Sequence, residues 1–192
     1  MANRVVIVPF DIDYDDWRNW AVRQRLAPQV IAYLGTPYGR DWLDKFESTS
    51  QSNATPRSWE ATSDLLKVCP SNIVREAVSG AIGEEAAGKF YGWMKVYDKL
   101  PDLQQIVAGK NIYPEDLDVM YAVISGLVSI ASSYNGKKGG IVQRLLDYGV
   151  GMPDGFAELG AWLSKDLFRL DSVAFSQCKL EAWRERYSSI IL

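Results

Sequence analysis

The sequence predicts a mainly α fold: a multi-helix bundle with one N-terminal strand and a C-terminal helical extension. Three observations carry this reading. Apolar residues recur three and four apart along most of the chain, which is the spacing of one helix face. Ser, Thr, Asp or Pro opens many of these stretches and Gly or Pro closes them, as helix starts and stops require. Only Val5-Val6-Ile7-Val8 has the β-branched character of a buried strand. A lone strand cannot satisfy its own backbone hydrogen bonds, so this one calls for a partner sheet.

The elements follow in chain order. Asp11-Ile12-Asp13-Tyr14-Asp15-Asp16 has the alternating carboxylates of a calcium loop, but that loop needs Gly sixth and Glu twelfth, where Asp16 and Val22 stand. These acids are read instead as capping a first helix through Trp17, Trp20, Ala21 and Arg25. A second helix covers 27–34, entered at Pro28 and closed by Gly35. Residues 36–46 carry Tyr38, Trp42 and Phe46 four apart, one helical stripe expected in the core. The polar run 48–53 leads to Thr55 and Pro56, which open a helix through Leu65 and Leu66. Cys69-Pro70-Ser71 breaks the chain, and Ser71 is expected to cap a helix with Ile73, Val74, Ala77 and Val78.

Gly80 and Gly83 bound a short link. A longer helix over 84–100 puts Phe90, Trp93, Met94 and Tyr97 on one side, and Pro101-Asp102 ends it. A short helix over 103–108 stops at Gly109. Pro114 starts a long helix through Tyr121, Ile124, Leu127, Val128 and Ala131, apolar nearly all round and therefore central. Residues 135–140 read as a flexible loop. Helices over 141–148, 153–163, 173–179 (capped at Asp171-Ser172) and 180–187 complete the chain.

Composition narrows the function classes. The chain of 192 residues is 47% hydrophobic, which suits a globular protein with a real core. A net charge of −3 gives no bulk basic field for nucleic acid or an anionic membrane. The longest apolar run, 119–130, is interrupted by Ser125 and Gly126 and is too short to span a bilayer. No signal peptide is visible, so a cytoplasmic location is expected. Cys69 and Cys178 are expected buried and reduced. Histidine is absent, which removes histidine-dependent triads and the usual zinc sites. The acidic pairs Glu84-Glu85 and Glu115-Asp116 are adjacent in sequence and do not face each other on a helix, so a carboxylate hydrolase is disfavoured. Asn135-Gly136-Lys137-Lys138-Gly139-Gly140 lacks the Ser or Thr and the preceding strand of a phosphate-binding loop.

The stretch with a chemical reading is Thr55-Pro56-Arg57-Ser58-Trp59-Glu60. Thr55 can cap the helix and Pro56 suits its first position. Arg57 then lies in the first turn, at the positive end of the dipole, where a cation is unfavourable unless an anion faces it. Backbone N–H groups and a guanidinium there suit a phosphate, while the plainer reading is an ion pair with a surface carboxylate. Trp59 is expected to anchor the helix and so to aim Arg57.

Ala54-Thr55-Pro56-Arg57 resembles the sensor-2 motif, (A/G)-S-P-R, of MoxR-type AAA+ ATPases, with Thr for Ser. Asn3-Arg4-Val5 and the run to Phe10 resemble the family's "(D/N)-R-F" turn and following strand. The two matches stand in the family's order. The resemblance implies that residues 1–10 end a AAA+ core strand, that 11–98 form the helical lid-type bundle, and that 99–192 are an extension whose role it does not supply. It implies Arg57, with Thr55 and Pro56, as nucleotide-binding and Arg4 as an arginine finger acting on a neighbouring subunit. ATP and Mg are implied only with a complete ATPase core, as are a homo-oligomeric ring and a protein substrate or adaptor. The chain carries no Walker A or B, so the isolated chain is expected neither to hydrolyse ATP nor to bind it well. The alternative is a free-standing helical interaction module with no nucleotide role.

Overall fold

Asp13 accepts a hydrogen bond from the Asp16 N–H at 2.8 Å, starting α1 (Tyr14–Arg23) in a computed structural model that describes residues 11–46 and 52–191. The strand expected at 5–8 and Arg4 lie outside the described residues. α1 ends at Arg23 rather than Arg25, because Arg25 turns into the left-handed region at φ 56°. α2 (Pro28–Gly35) begins on its proline and buries Val30, Ile31, Ala32, Tyr33 and Leu34. Thr36 then caps α3 (Pro37–Arg40), accepting from the Gly39 N–H at 3.0 Å. A Cβ on Gly39 would stand 1.9 Å from the Tyr33 carbonyl oxygen, so this corner accepts only glycine.

The aromatic stripe expected over 36–46 does not form. α3 stops at Arg40, a turn follows over 41–44, and Lys45 pairs with Ala54 in an isolated antiparallel bridge. Tyr38 and Phe46 are 46% and 72% exposed, and Trp42 is half-buried. Once the helix stops, a spacing of four no longer means one face.

α4 (Pro56–Val68) and α5 (Val74–Ile82) form an antiparallel neighbour pair around the Cys69-Pro70 turn. Ser71 does not cap α5: its N-cap is Ile73, with no side-chain bond, and residues 71–73 are a turn. Gly80 lies inside α5, so the expected link shrinks to Gly83 at φ 86°, a value that favours glycine. α6 (Glu84–Met94) tightens into a 3₁₀ turn at Lys95–Lys99, which divides the helix expected over 84–100. α7 (Leu103–Val107) is short.

α8 (Leu117–Ser133) starts at its Asp116 cap, whose Oδ1 accepts from the N–H groups of Asp118 and Val119, not at Pro114. It is buried nearly all round, as its composition predicts, and packs most extensively against α2 and also on α1, α9 and α10. α9 (Lys138–Val150) takes the second half of the expected 135–140 loop into its first turn. After a 3₁₀ turn at Asp154–Phe156 come α10 (Ala157–Leu170), α11 (Ser172–Ser176), capped by Asp171, and α12 (Glu181–Ile191). α10 packs along α9.

The described residues are therefore mainly helical, with no sheet. One apolar core joins α1, α2, α4, α6, α8, α9 and α10 and runs without a break on both sides of residue 98. No helix among the described residues is long and apolar enough to cross a membrane. Cys69 and Cys178 are free thiols, half-buried rather than buried.

Burial pushes several phenols up from their ordinary value near 10. For Tyr97 burial is the whole cause; for Tyr33 the Asp41 charge adds to it, and for Tyr148 the neighbouring Tyr113 does. Tyr148 also donates its O–H to the Ile112 carbonyl at 2.7 Å, which requires the neutral phenol. A pKa raised on folding gives stability that is complete below the unfolded value and is lost as pH rises through the folded one. Melts across an alkaline series are therefore expected to hold level up to about pH 9–10 and then fall, together with a rise in phenolate absorbance. Phenolate absorbance that reaches its full value at ordinary tyrosine pH with no loss of the melt would contradict this.

Candidate functional site

The start of α4 is built as its cap residues require. Ser58 N–H donates to Thr55 Oγ1 at 3.3 Å, and Thr55 N–H donates back to Ser58 Oγ at 2.8 Å, a reciprocal capping box. The Ser58 hydroxyl in turn donates to the Asn53 carbonyl at 2.7 Å. The approach to the cap is held by the Lys45 N–H, which donates to the Ala54 carbonyl at 2.7 Å. Pro56 occupies the first helical position.

Trp59 anchors this end. Its side chain is fully buried, and its Nε1–H donates to the Trp42 carbonyl at 2.6 Å. Its ring lies 5.7 Å from Tyr33 and 5.6 Å from Phe90, centroid to centroid. One turn later Ser63 Oγ accepts from the Ala27 N–H at 2.8 Å and so ties α4 to the residue before α2.

Arg57 is exposed, and among the described residues no carboxylate comes within ion-pair distance of it. Among the described residues the surface ion pair is not made. The backbone contribution is smaller than the motif suggests. Pro56 has no N–H and the Ser58 N–H is taken by Thr55, so Arg57 itself supplies the free donors. Among the described residues, then, an anion here would be held chiefly by the guanidinium.

A wider cleft lies elsewhere among the described residues. It is open, about 520 Å³, and lined by Ser52, Arg75, Glu76, Ser79, Gly83 and Glu84 among others. Arg57 does not line it. Glu84 and Glu85 complement the dipole of α6 from its first turn, and Asp116 caps α8 while meeting Lys99 Nζ at 3.4 Å. Glu84, Glu85 and Asp116 are thus accounted for as helix-start chemistry. Among the described residues, no three acidic or thiol groups gather where a metal ion could sit. The 135–140 stretch follows a helix, α8, and lacks the strand-loop-helix setting of a phosphate loop.

A second constellation was not anticipated. Arg18 and Asp166 are 5% and 4% exposed and form a two-pronged ion pair between α1 and α10, with Nε and Nη2 each donating to Oδ2 at 2.9 and 2.7 Å. Arg18 Nη1 also donates to the Tyr14 hydroxyl at 3.2 Å. Burial works against the Arg18 charge, but Asp166 and Tyr14 outweigh it and hold its pKa above the ordinary value. Beside this pair, Arg40 lies between the rings of Tyr14 and Trp162, its Cζ 4.5 and 4.6 Å from their centroids. The signal available in the sequence was a charge set inside each apolar stripe: Arg18 among Trp17, Ala21 and Val22, and Asp166 among Leu159, Leu163 and Leu167.

Comparison with protein-family models, with curated proteins and with solved structures finds no match to this chain.

Proposed function

We propose that residues 11–98 serve as the lid of a MoxR-like AAA+ ATPase, with Arg57 as its sensor-2 residue and 99–192 as a helical extension packed on that lid. The observation that carries this reading is Arg57: a first-turn guanidinium, exposed and, among the described residues, without a carboxylate partner, behind the Thr55-Pro56 cap and ahead of the buried Trp59. A cation left unpaired at the positive end of a helix suits an anion brought from outside the chain. In this reading the ATP and Mg belong to a complete core, Arg57 holds phosphate oxygens, and Arg4 serves a neighbouring subunit of a cytoplasmic ring. Phosphoryl transfer needs positioning and charge neutralisation, and a planar guanidinium supplies both.

The test uses the enzyme reconstituted with its core. Arg57→Ala is expected to leave stability within about 0.5 kcal/mol, as for an exposed side chain. Hydrolysis is expected to fall, by up to the order of a thousandfold, and Arg57→Lys not to restore it. Unchanged hydrolysis would discard the sensor role, and a melt lowered by many degrees would make Arg57 structural. The free-standing interaction module is the second reading, favoured by Val68 and Ile73, which stand 75% and 49% exposed on either side of the Cys69-Pro70 turn. A G-x-x-x-x-G-K-(S/T) stretch encoded upstream or in an adjacent gene separates the two.

A further inference from the structure

Arg40 is held in an unusual way. Its guanidinium carbon lies over two aromatic rings, Tyr14 from α1 at 4.5 Å and Trp162 from α10 at 4.6 Å from the centroids. Its Nε is shut off from solvent and bonds to nothing, and among the described residues no carboxylate pairs with it. Hydrogen bonds therefore do not hold this side chain; stacking does, with Gly39 and the Thr36 cap fixing its backbone. A guanidinium flanked by two rings offers its edge to a ligand, and its orientation is already set before anything binds.

The surrounding charges choose the ligand. Arg18 is neutralised by Asp166, and Arg169 lies 3.8 Å from Asp15. The shallow depression lined by Tyr14, Arg18, Trp162, Lys165 and Arg169 together with Asp15 and Asp166 shares both rings with Arg40, which does not line it, and has one cation in excess. Tyr121 lies 5.8 Å from Trp162, the two rings tilted by 58°, and Glu158 and Asp118 stand near enough to act on its phenol. These two carboxylates oppose a dianion more than a monoanion. The rings that flank the guanidinium also suit a ligand with an apolar body.

We infer that the Arg40 edge is a binding site for a carboxylate monoanion carried on an apolar or aromatic body. The grip is a two-pronged pair from the guanidinium edge, and the ring faces of Tyr14 and Trp162 bound the site. A free organic acid and an acidic side chain of a partner protein share this chemistry. The site does not depend on the nucleotide reading of Arg57, which lies on another element.

The experiment follows the Arg40 Nε–H and Trp162 indole N–H resonances of the ¹⁵N-labelled chain during titration with benzoate, N-acetylglutamate amide and inorganic phosphate. The expected result is a saturable shift of both signals with benzoate or the blocked glutamate, tighter than with phosphate. Whichever carboxylate binds more tightly identifies the source. Arg40→Lys is expected to weaken that affinity by about tenfold or more, since the planar fork is lost. A shift that is merely linear with concentration, or one that persists unchanged in Arg40→Lys, overturns the site. Phosphate binding more tightly than either carboxylate overturns the choice of a monoanion. The wild-type Arg40 signal decides the matter even where the variant folds poorly.

Discussion

Trp59→Ala is expected to lower the stability of this chain by about 3–5 kcal/mol, the range for removing a fully buried aromatic ring. Three effects combine. The ring fills space against Tyr33 and Phe90 that smaller neighbours cannot close. Its Nε1–H is the donor to the Trp42 carbonyl, and without it that carbonyl loses its partner in a half-buried turn. The ring also ties the first turn of α4 to α2 and α6, so the cap at Thr55 loses its support. Urea melts check the expectation, with Trp59→Phe as the graded control that keeps a ring and drops the hydrogen bond. A loss below about 1 kcal/mol for the alanine variant, the size of an ordinary substitution, would mean that α4 is not anchored through this residue.

The other large effect is at Asp166. Asp166→Ala leaves Arg18 buried with only the Tyr14 hydroxyl facing it, and breaking a buried pair from one side costs about 3–5 kcal/mol. The pair itself need not be favourable over apolar residues, because desolvating two charges consumes most of their attraction. Replacing both partners, Arg18→Met with Asp166→Leu, is therefore expected to recover most of the loss. A double-mutant cycle measured by melts reads the coupling directly. Single variants within about 1 kcal/mol of the parent would show that the charge escapes to water.

What the sequence disclosed, and what it hid, follows from the range of each interaction. Caps act over three residues, and Asp13, Thr55 and Asp171 sit where local chemistry predicts them, whereas Asp102, read only as ending the helix before it, caps α7. The central place of α8 was legible because it is apolar on every side. The stripe Tyr38, Trp42 and Phe46 misled because periodicity does not reveal that the chain leaves the helix at Arg40. Ser71 misled because a cap residue signals only where a helix can begin, and here a turn comes first. At the start of α4 the cap and the anchor were both readable, whereas the use of the Ser58 N–H by Thr55 depends on atomic geometry. The pairing of Arg18 with Asp166 and the stacking of Arg40 depend on helices far apart in sequence, so residue spacing carried only the hint of charges placed within apolar faces.

The distance along the chain between Arg18 and Asp166, 148 residues, has a consequence for biosynthesis. α1 leaves the ribosome long before α10 is made, and α2 likewise waits for α8, its main packing surface. Until then the guanidinium of Arg18 has no counter-ion, and the apolar side of α2 has little to cover it. Closing so long a loop costs chain entropy before any contact is gained, which slows the final assembly. α1 and α2 are thus among the last of these helices to be secured, and the interval before α10 arrives leaves the nascent segment open to aggregation and to chaperones.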